Sequence, residues 1–272
     1  MPFITPSDRD AIISLCKIHD ETHDMWKPDF RRCIVYKSYF IKYGPHGSLR
    51  FEYETQRYIH GMTIDDPSAP RVAEVIDYFS PERRMAYLVM ELIDHTTPAD
   101  NALEKVAAAL QWLASVPAPA GLTLGSVGGG PARHKLFKHY KAPLLFSSKQ
   151  ALQNYMNKAL EWIPPRCRPA EMSFSDDKII FIQSDMDSSN FFLDGNGRIC
   201  LIDFDGVALL PESFASHTLH SKTNPFASKV AEYLDWPRTP NLYSLGRAGT
   251  IVHMISDRTL GLDQDGLPDT RL

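Results

Sequence analysis

Only four cysteines, Cys16, Cys33, Cys167 and Cys200, are spread over 272 residues, and no two form a Cys-x-x-Cys pair. That spacing argues against a zinc site or a disulfide framework and suits a reducing compartment. Charge of one sign is lacking too: 29 basic and 33 acidic residues leave a net charge of -4, with no block of like charge. The electrostatic footprint of a nucleic-acid binder is therefore missing. No window approaches the roughly 20 apolar residues that a bilayer-spanning helix needs. The N-terminus, from Met1 to Asp8, has neither the basic stretch nor the apolar run of a signal peptide. The expectation is a cytoplasmic protein with no nucleic-acid or membrane partner. Glycine is absent from the whole stretch before Lys42.

What is present is ordinary globular material. Apolar residues make up 43% and charged residues 23%, enough for a sizeable core in one large domain or two small lobes. Ser7 caps a short helix over Asp8 to Ile18, with Ile12, Leu15 and Cys16 at helical spacing. Cys33 to Lys42 is dense in β-branched and aromatic residues and predicts strand, with a hairpin turn near Lys37-Ser38 and a further turn from Tyr43 to Ser48. A helix over Arg50 to His60 and strands over Val72 to Phe79 and Met85 to Ile93 complete a small α+β unit. After Asp94 the period changes to 3.6. Helices are expected over Glu104 to Ser115 and Gln150 to Ile163, joined by a Gly- and Pro-rich surface loop from Pro117 to Ser148. Tyr155 and Trp162 read as core. Two short apolar strands, Ile179 to Ile182 and Ile199 to Asp203, flank the turn Asp194-Gly-Asn-Gly, and a helical tail follows.

The stretch from Phe181 to Asp205 carries the chemistry. A strand leads into a loop with a carboxylate and a carboxamide five positions apart, Asp185 and Asn190. A hairpin then leads to a strand ending in a second carboxylate, Asp203. Phosphoryl transfer uses such a set: one carboxylate handles the acceptor hydroxyl, and a carboxamide and a carboxylate hold Mg²⁺ on the triphosphate. Singly, each residue admits a plainer reading. Asp185 and Asn190 also suit an Asx turn capping its own backbone. Lys42 has Lys37 as a competitor, and Glu52 suits an exposed helix position beside Glu54.

Asp185-x-x-x-x-Asn190 followed by Ile202-Asp203-Phe204 resembles the catalytic and metal motifs of aminoglycoside phosphotransferases and their choline-kinase-like relatives. Phe40-Ile-Lys42 resembles the strand of the phosphate-binding lysine, and Glu52, ten residues on, stands where its ion-pair partner belongs. Met85 to Ile93 resembles the strand and hinge that meet adenine. The resemblance spans roughly residues 33 to 215, and in texture is greatest to compact fungal members. It implies an α+β, protein-kinase-like fold of two lobes, residues 1–94 on the nucleotide side and 95–272 with the catalytic loop, metal site and acceptor side. It also implies ATP and Mg²⁺ as cofactors and a small hydroxylated molecule as substrate. Asp185 would be the base, Asn190 and Asp203 the metal ligands, and Lys42, Glu52, Met90, Glu91 and Ile93 the nucleotide-binding residues.

The chain departs from the family pattern twice. Gln183-Ser184 stands where the family has His-Gly before the catalytic Asp, and no Gly-rich loop precedes Lys42. Two other readings follow from these departures: a pseudokinase-like binding protein, or an enzyme that reuses the cleft for other chemistry on a secondary metabolite. Gly125 to Gly130 has the look of a phosphate cradle, but no Lys-Ser/Thr follows it, so a flexible loop is expected. His134 and His139 lie among Lys135, Lys138 and Lys141, read as a solvated basic face. His217 and His220 read as structural, and Asp187 and Asp205 as neighbours of the site.

Overall fold

The computed structural model describes residues 4–27, 30–221 and 223–270. Met1 to Phe3, where the segment read as no signal peptide begins, lie outside them. The first helix, α1 (Pro6–Thr22), starts earlier than its apolar spacing suggested. Thr5 rather than Ser7 is the cap: its hydroxyl accepts from the Asp8 amide, and the Asp8 carboxylate accepts from the Thr5 amide. Pro6 at the first helical position fits because it has no amide hydrogen to strand. Such a cap contributes about 1 kcal/mol.

β1 (Cys33–Tyr36) and β2 (Tyr39–Pro45) form the expected hairpin, turning at Lys37, which adopts φ 54°. Strand alternation then sorts the side chains of β2. Tyr39, Ile41 and Tyr43 are buried with Ile12 and Cys16 of α1, which covers that face. Phe40 and Lys42 turn to the opposite face, toward α2 (His46–Thr63). The sequence from Tyr43 to Ser48 is not a turn: β2 runs to Pro45 and α2 begins at the next residue. Pro45 fixes φ at -57° and supplies the bend between strand and helix. β3 (Val75–Phe79) and β4 (Met85–Glu91) complete an antiparallel sheet in the order β1-β2-β4-β3.

Beyond Asp94, β5 (His95–Pro98) leads into α3 (Leu103–Ser115) and, after a long connection, α4 (Lys149–Leu160). β6 (Ile179–Gln183), β7 (Phe191–Asp194), β8 (Ile199–Leu201) and β9 (Val207–Pro211) follow, then α5 (Glu212–His220), α6 (Pro225–Ala231) and α7 (Leu242–Met254). β7 and β8 close the Asp194-Gly-Asn-Gly hairpin, with β5 beside β7, while β6 pairs with β9. The segments that follow β6 and β8 are bonded to each other, the Ser184 amide to the Gly206 carbonyl and the Ile202 amide to the Asn190 carbonyl.

The connection from Pro117 to Ser148 does not lie over the surface. Leu124, Ala132, Leu136, Phe137, Ala142 and Phe146 are buried with α4 and α7, and Gly125 exchanges both backbone hydrogen bonds with Leu209 of β9. Its apolar residues lack a helical or strand period, so their burial left no pattern to read. Tyr155 is core as expected, but Trp162 is 63% exposed, because α4 ends before its periodicity reaches that residue.

Candidate active site

Lys42, Glu52 and Asp203 meet. The Lys42 ammonium donates to Glu52 Oε1 at 2.7 Å and to Asp203 Oδ1 at 2.8 Å. Lys37, the competitor, is held elsewhere: its ammonium binds Asp8 at 2.6 Å, fastening the hairpin tip to α1. Glu52 arrives from the buried face of α2, which also carries Leu49, Thr55, Gln56 and Ile59. A carboxylate so placed requires a cation. Burial pushes the Glu52 carboxyl up to about 7, with repulsion from Asp203 and Asp205 added, while Lys42 pulls the other way. Burial also works against charge on Lys42, but Glu52 and Asp203 outweigh it and hold its pKa above that of an ordinary lysine. The two directions differ, one favouring a charged pair and the other a neutral carboxyl. Charge on Lys42 is the firmer of the two, because two carboxylates face it.

Asp203 sits just past β8 in the left-handed region, φ 59° and ψ 73°. Few residues other than glycine adopt this conformation, aspartate more readily than most, and strain of this kind gathers at functional sites. The turn redirects the chain and sets the carboxylate against Lys42 instead of along the strand.

Gln183, a departure from the family pattern, ties the two motifs together. Its amide nitrogen donates to the Asp203 carbonyl at 3.0 Å, and its amide oxygen accepts from the Asp185 backbone at 3.0 Å. The neighbouring Ser184 sends both its amide and its hydroxyl to the Gly206 carbonyl. Gly206 is confined: a Cβ there would lie 2.4 Å from Gln183 Oε1 and 3.1 Å from Asp185 Cβ. Asn190 Nδ2 donates to the Asp185 carbonyl at 2.9 Å, and the Asn190 carbonyl accepts from Ile202 at 3.1 Å. Asp185, Asn190 and Asp203 thus lie on one hydrogen-bonded frame. Asp187 caps its own loop through the amide and hydroxyl of Ser189, which holds its carboxyl below the usual range.

The segment 133–135 is the part of the site that sequence reasoning missed. Arg133 pairs with Asp205 and donates to Ser48 Oγ at 2.7 Å. Lys135 reaches Asp185 Oδ1 at 2.7 Å, both side chains 41% exposed. His134, between them, is not solvated: it is 1% exposed. Its Nε2 faces Thr218 Oγ1 at 2.9 Å, and its Nδ1 accepts from the Leu136 amide at 3.1 Å. Burial, with the like charge of His217 and Lys135, drops its pKa to about 3. Neither signal was legible, since the partners lie 50 and 72 residues away in the chain.

The Gly125 to Gly130 segment is an ordered turn rather than a flexible loop or a phosphate cradle. Ser126 and Gly130 exchange backbone hydrogen bonds, and a Cβ on Gly130 would lie 2.5 Å from the Phe51 ring. His217, lowered by burial to about 4, and His220, bonded to the Trp236 carbonyl, occupy structural places. Met90 stands on the Lys42 face of the sheet, across from Phe40, and packs with Ile93, Leu49 and Ala73. Glu91 pairs with Arg71, which also binds Asp194 Oδ2 at 2.9 Å.

Among the described residues, no group of three or more His, Cys, Asp and Glu side chains gathers as a metal cage. Magnesium does not need one: it takes one or two protein oxygens and completes its shell with water and phosphate. Asn190 and Asp203 fit that use. The Asn190 nitrogen is spent on the Asp185 carbonyl, which leaves its amide oxygen as the open donor, and Asp203 commits only Oδ1 to Lys42. No helix among the described residues is long and apolar enough to cross a membrane.

The sequence matches the family model of the phosphotransferase enzyme family, APH, over residues 29–211. No curated protein matches it. Among solved structures, a thermostable mutant of aminoglycoside phosphotransferase APH(4)-Ia in its apo form is similar, with a TM-score of 0.53 at 14% identity. That match covers 87% of this chain and 88% of the other. A ternary complex of a mutant of that enzyme with AMP-PNP and hygromycin B matches with a TM-score of 0.50 at 15% identity, covering 78% of this chain and 76% of the other. At such identities the likeness speaks for the fold, which is protein-kinase-like, with an antiparallel sheet in its first part and a largely helical second part. With two thirds of its length under the family model, the chain belongs to the phosphotransferase enzyme family.

Proposed function

We propose that the protein transfers the γ-phosphoryl group of ATP to a hydroxyl of a small molecule. The observation that carries this reading is the meeting of Lys42, Glu52 and Asp203 across 161 residues of chain, on the same frame as Asp185 and Asn190. Residues 1–94 form the nucleotide side, with Lys42 on the phosphates and Met90, Glu91 and Ile93 at the adenine end. Residues 95–272 supply the catalytic loop and the acceptor side. Asp185 orients the acceptor hydroxyl and takes its proton as the new O–P bond forms; the bond from the γ-phosphorus to the β–γ bridging oxygen breaks, and ADP leaves. Mg²⁺, held by Asn190 and Asp203, would neutralise charge on the triphosphate.

Asp185→Asn tests the reading. The rate should fall by about 10²–10⁴, the usual worth of a general base, while Mg·AMP-PNP still binds. Asp203→Asn should instead weaken Mg²⁺-dependent nucleotide binding. A second reading, a binding protein without turnover, draws on the β1–β2 hairpin, which has no glycine before Lys42 and whose tip is tied to α1. Nucleotide-dependent stabilisation with no ADP formed from any alcohol would favour it. Absence of any shift with ATP and Mg²⁺ would sink both.

A further inference from the structure

Every carboxylate of the site except the loop-capping Asp187 already has a cation. Lys42 binds Glu52 and Asp203, Arg133 binds Asp205, and Lys135 binds Asp185. An incoming ammonium group would meet Lys135 at Asp185, and the one carboxylate without a cation, Asp187, is already engaged by the amide and hydroxyl of Ser189. One cation beside these pairs has no carboxylate of its own. Lys141 is directly opposite Arg133 in a short antiparallel bridge. Opposed residues of such a bridge project to the same side. Lys141 therefore stands on the Arg133 face, exposed, with no ion-pair partner among the described residues.

These cations are also held in place. Arg133 and Lys135, on either side of His134 where the chain enters a turn closed by the Phe137 amide on the His134 carbonyl, face the site, while His134 points into the core and is satisfied at both ring nitrogens. Leu136 and Phe137 continue the anchor into the main core. A basic face that was merely solvated would have no need of such a root.

We infer that the acceptor carries an anionic group, carboxylate or phosphate, near the hydroxyl that receives the phosphoryl group, and that Lys135, with Arg133 and Lys141, recognises it. This inference rests on the phosphotransferase reading. Lys135 is half-exposed and free to exchange Asp185 for a ligand anion, which would leave the Asp185 carboxylate to the hydroxyl. Lys42 serves the nucleotide from the sheet side, so the two lysines divide the reactants between them. A cationic acceptor would have to displace Lys135 from Asp185 and would meet the unpaired charge of Lys141; like charge is the usual device by which a site rejects the wrong partner.

The test is a titration of the full chain, saturated with Mg·AMP-PNP, using four small alcohols: glycerate, glycerol 3-phosphate, glycerol and choline. Glycerate or glycerol 3-phosphate should bind at millimolar concentration, about tenfold more tightly than the other two, a difference typical of one charge-assisted contact. Which of the two binds better identifies the anion. Lys135→Ala should erase the preference, and Lys135→Arg should keep it, with Mg·AMP-PNP affinity unchanged in both. Glycerol or choline binding as tightly as the anions would overturn the inference. So would binding of the anions unaltered by Lys135→Ala, or no binding of either anion. Loss of nucleotide affinity in Lys135→Ala would also overturn it, assigning the lysine to the phosphoryl group. If wild-type protein fails to bind Mg·AMP-PNP, the phosphotransferase reading falls. The same titration without nucleotide then decides the anion preference separately.

Discussion

Two lysine–carboxylate contacts of equal length, 2.7 Å, stand on the two sides of the proposed catalytic centre: Lys42 with Glu52, and Lys135 with Asp185. Length says nothing of the difference between them. The Glu52 side chain is 3% exposed, whereas Lys135 and Asp185 are each 41% exposed. A buried carboxylate left without its cation has no water to turn to, so removing one partner of such a pair is costly. An exposed pair exchanges its partner for water at almost no cost. The first contact is therefore part of the framework, and the second is a contact made to be opened. A site that must hold a nucleotide and admit a variable acceptor gains from having one of each.

The largest effect is expected from Lys42→Met, which strands Glu52. Stability should fall by about 3 kcal/mol at pH 8, as for other buried pairs cut on one side. The pH dependence identifies the cause. Glu52 has its pKa raised from 4.5 to about 7 in the folded protein. Its ionisation thus costs stability progressively as pH rises through that interval. Removing Lys42, which lowers that pKa, moves it further up, so the gap between wild type and variant should widen from pH 5 to pH 8. Chemical denaturation at the two pH values measures this. A gap that stays constant would mean that Glu52 does not ionise in the folded state.

A smaller effect probes the root of the exposed pair. Burial depresses His134 from 6.5 to about 3, so the unfolded chain takes up a proton below pH 6.5 that the folded chain refuses. Its contribution is whole above pH 6.5 and is lost as pH falls toward 3. Between pH 7 and pH 5 the loss amounts to about 2 kcal/mol, at 1.36 kcal/mol per unit. His134→Gln should flatten the acid-side slope by that amount relative to wild type. Glu52 drives stability the opposite way over the same range, so the difference between the two proteins, not either curve, isolates the histidine. An unchanged slope would show that His134 titrates freely and that the segment is not rooted.

The order of motifs made much of this architecture legible. Cys33 to Lys42 could be read as strand from its β-branched and aromatic residues, and the resemblance of Phe40-Ile-Lys42 to the phosphate-binding strand picked out Lys42 on it. The β7–β8 hairpin announced itself through Asp194-Gly-Asn-Gly, and with it the neighbourhood of Asn190 and Asp203. What stayed hidden has physical reasons. Glu52, Thr55 and Gln56 give α2 a polar buried face, which hydrophobic periodicity cannot detect. The start of α2 at His46 was masked by Gly44-Pro45, a pair that more often marks a turn. Gln183 read as a loss, yet an amide that both donates and accepts joins Asp185 to Asp203 through two hydrogen bonds. Lys135 and Asp185 meet only after the connection from Pro117 to Ser148 has packed, and no local pattern encodes that.

The smallest expected effect is the sharpest test of the comparison. Lys135→Ala should change stability by less than about 1 kcal/mol, as exposed ion pairs do. A double-mutant cycle with Asp185→Ala should give a coupling of a few tenths of a kcal/mol, shrinking as salt screens it. The physical reason is that both charges already keep much of their water, so their meeting replaces hydration rather than adding to it. A small coupling leaves Asp185 available to a hydroxyl and Lys135 available to an anion, as an acceptor site requires. A coupling as large as the loss in Lys42→Met would reverse the assignment. Lys135 would then be a structural partner that locks Asp185, and the proposed acceptor side would be closed to any ligand without first breaking a framework contact.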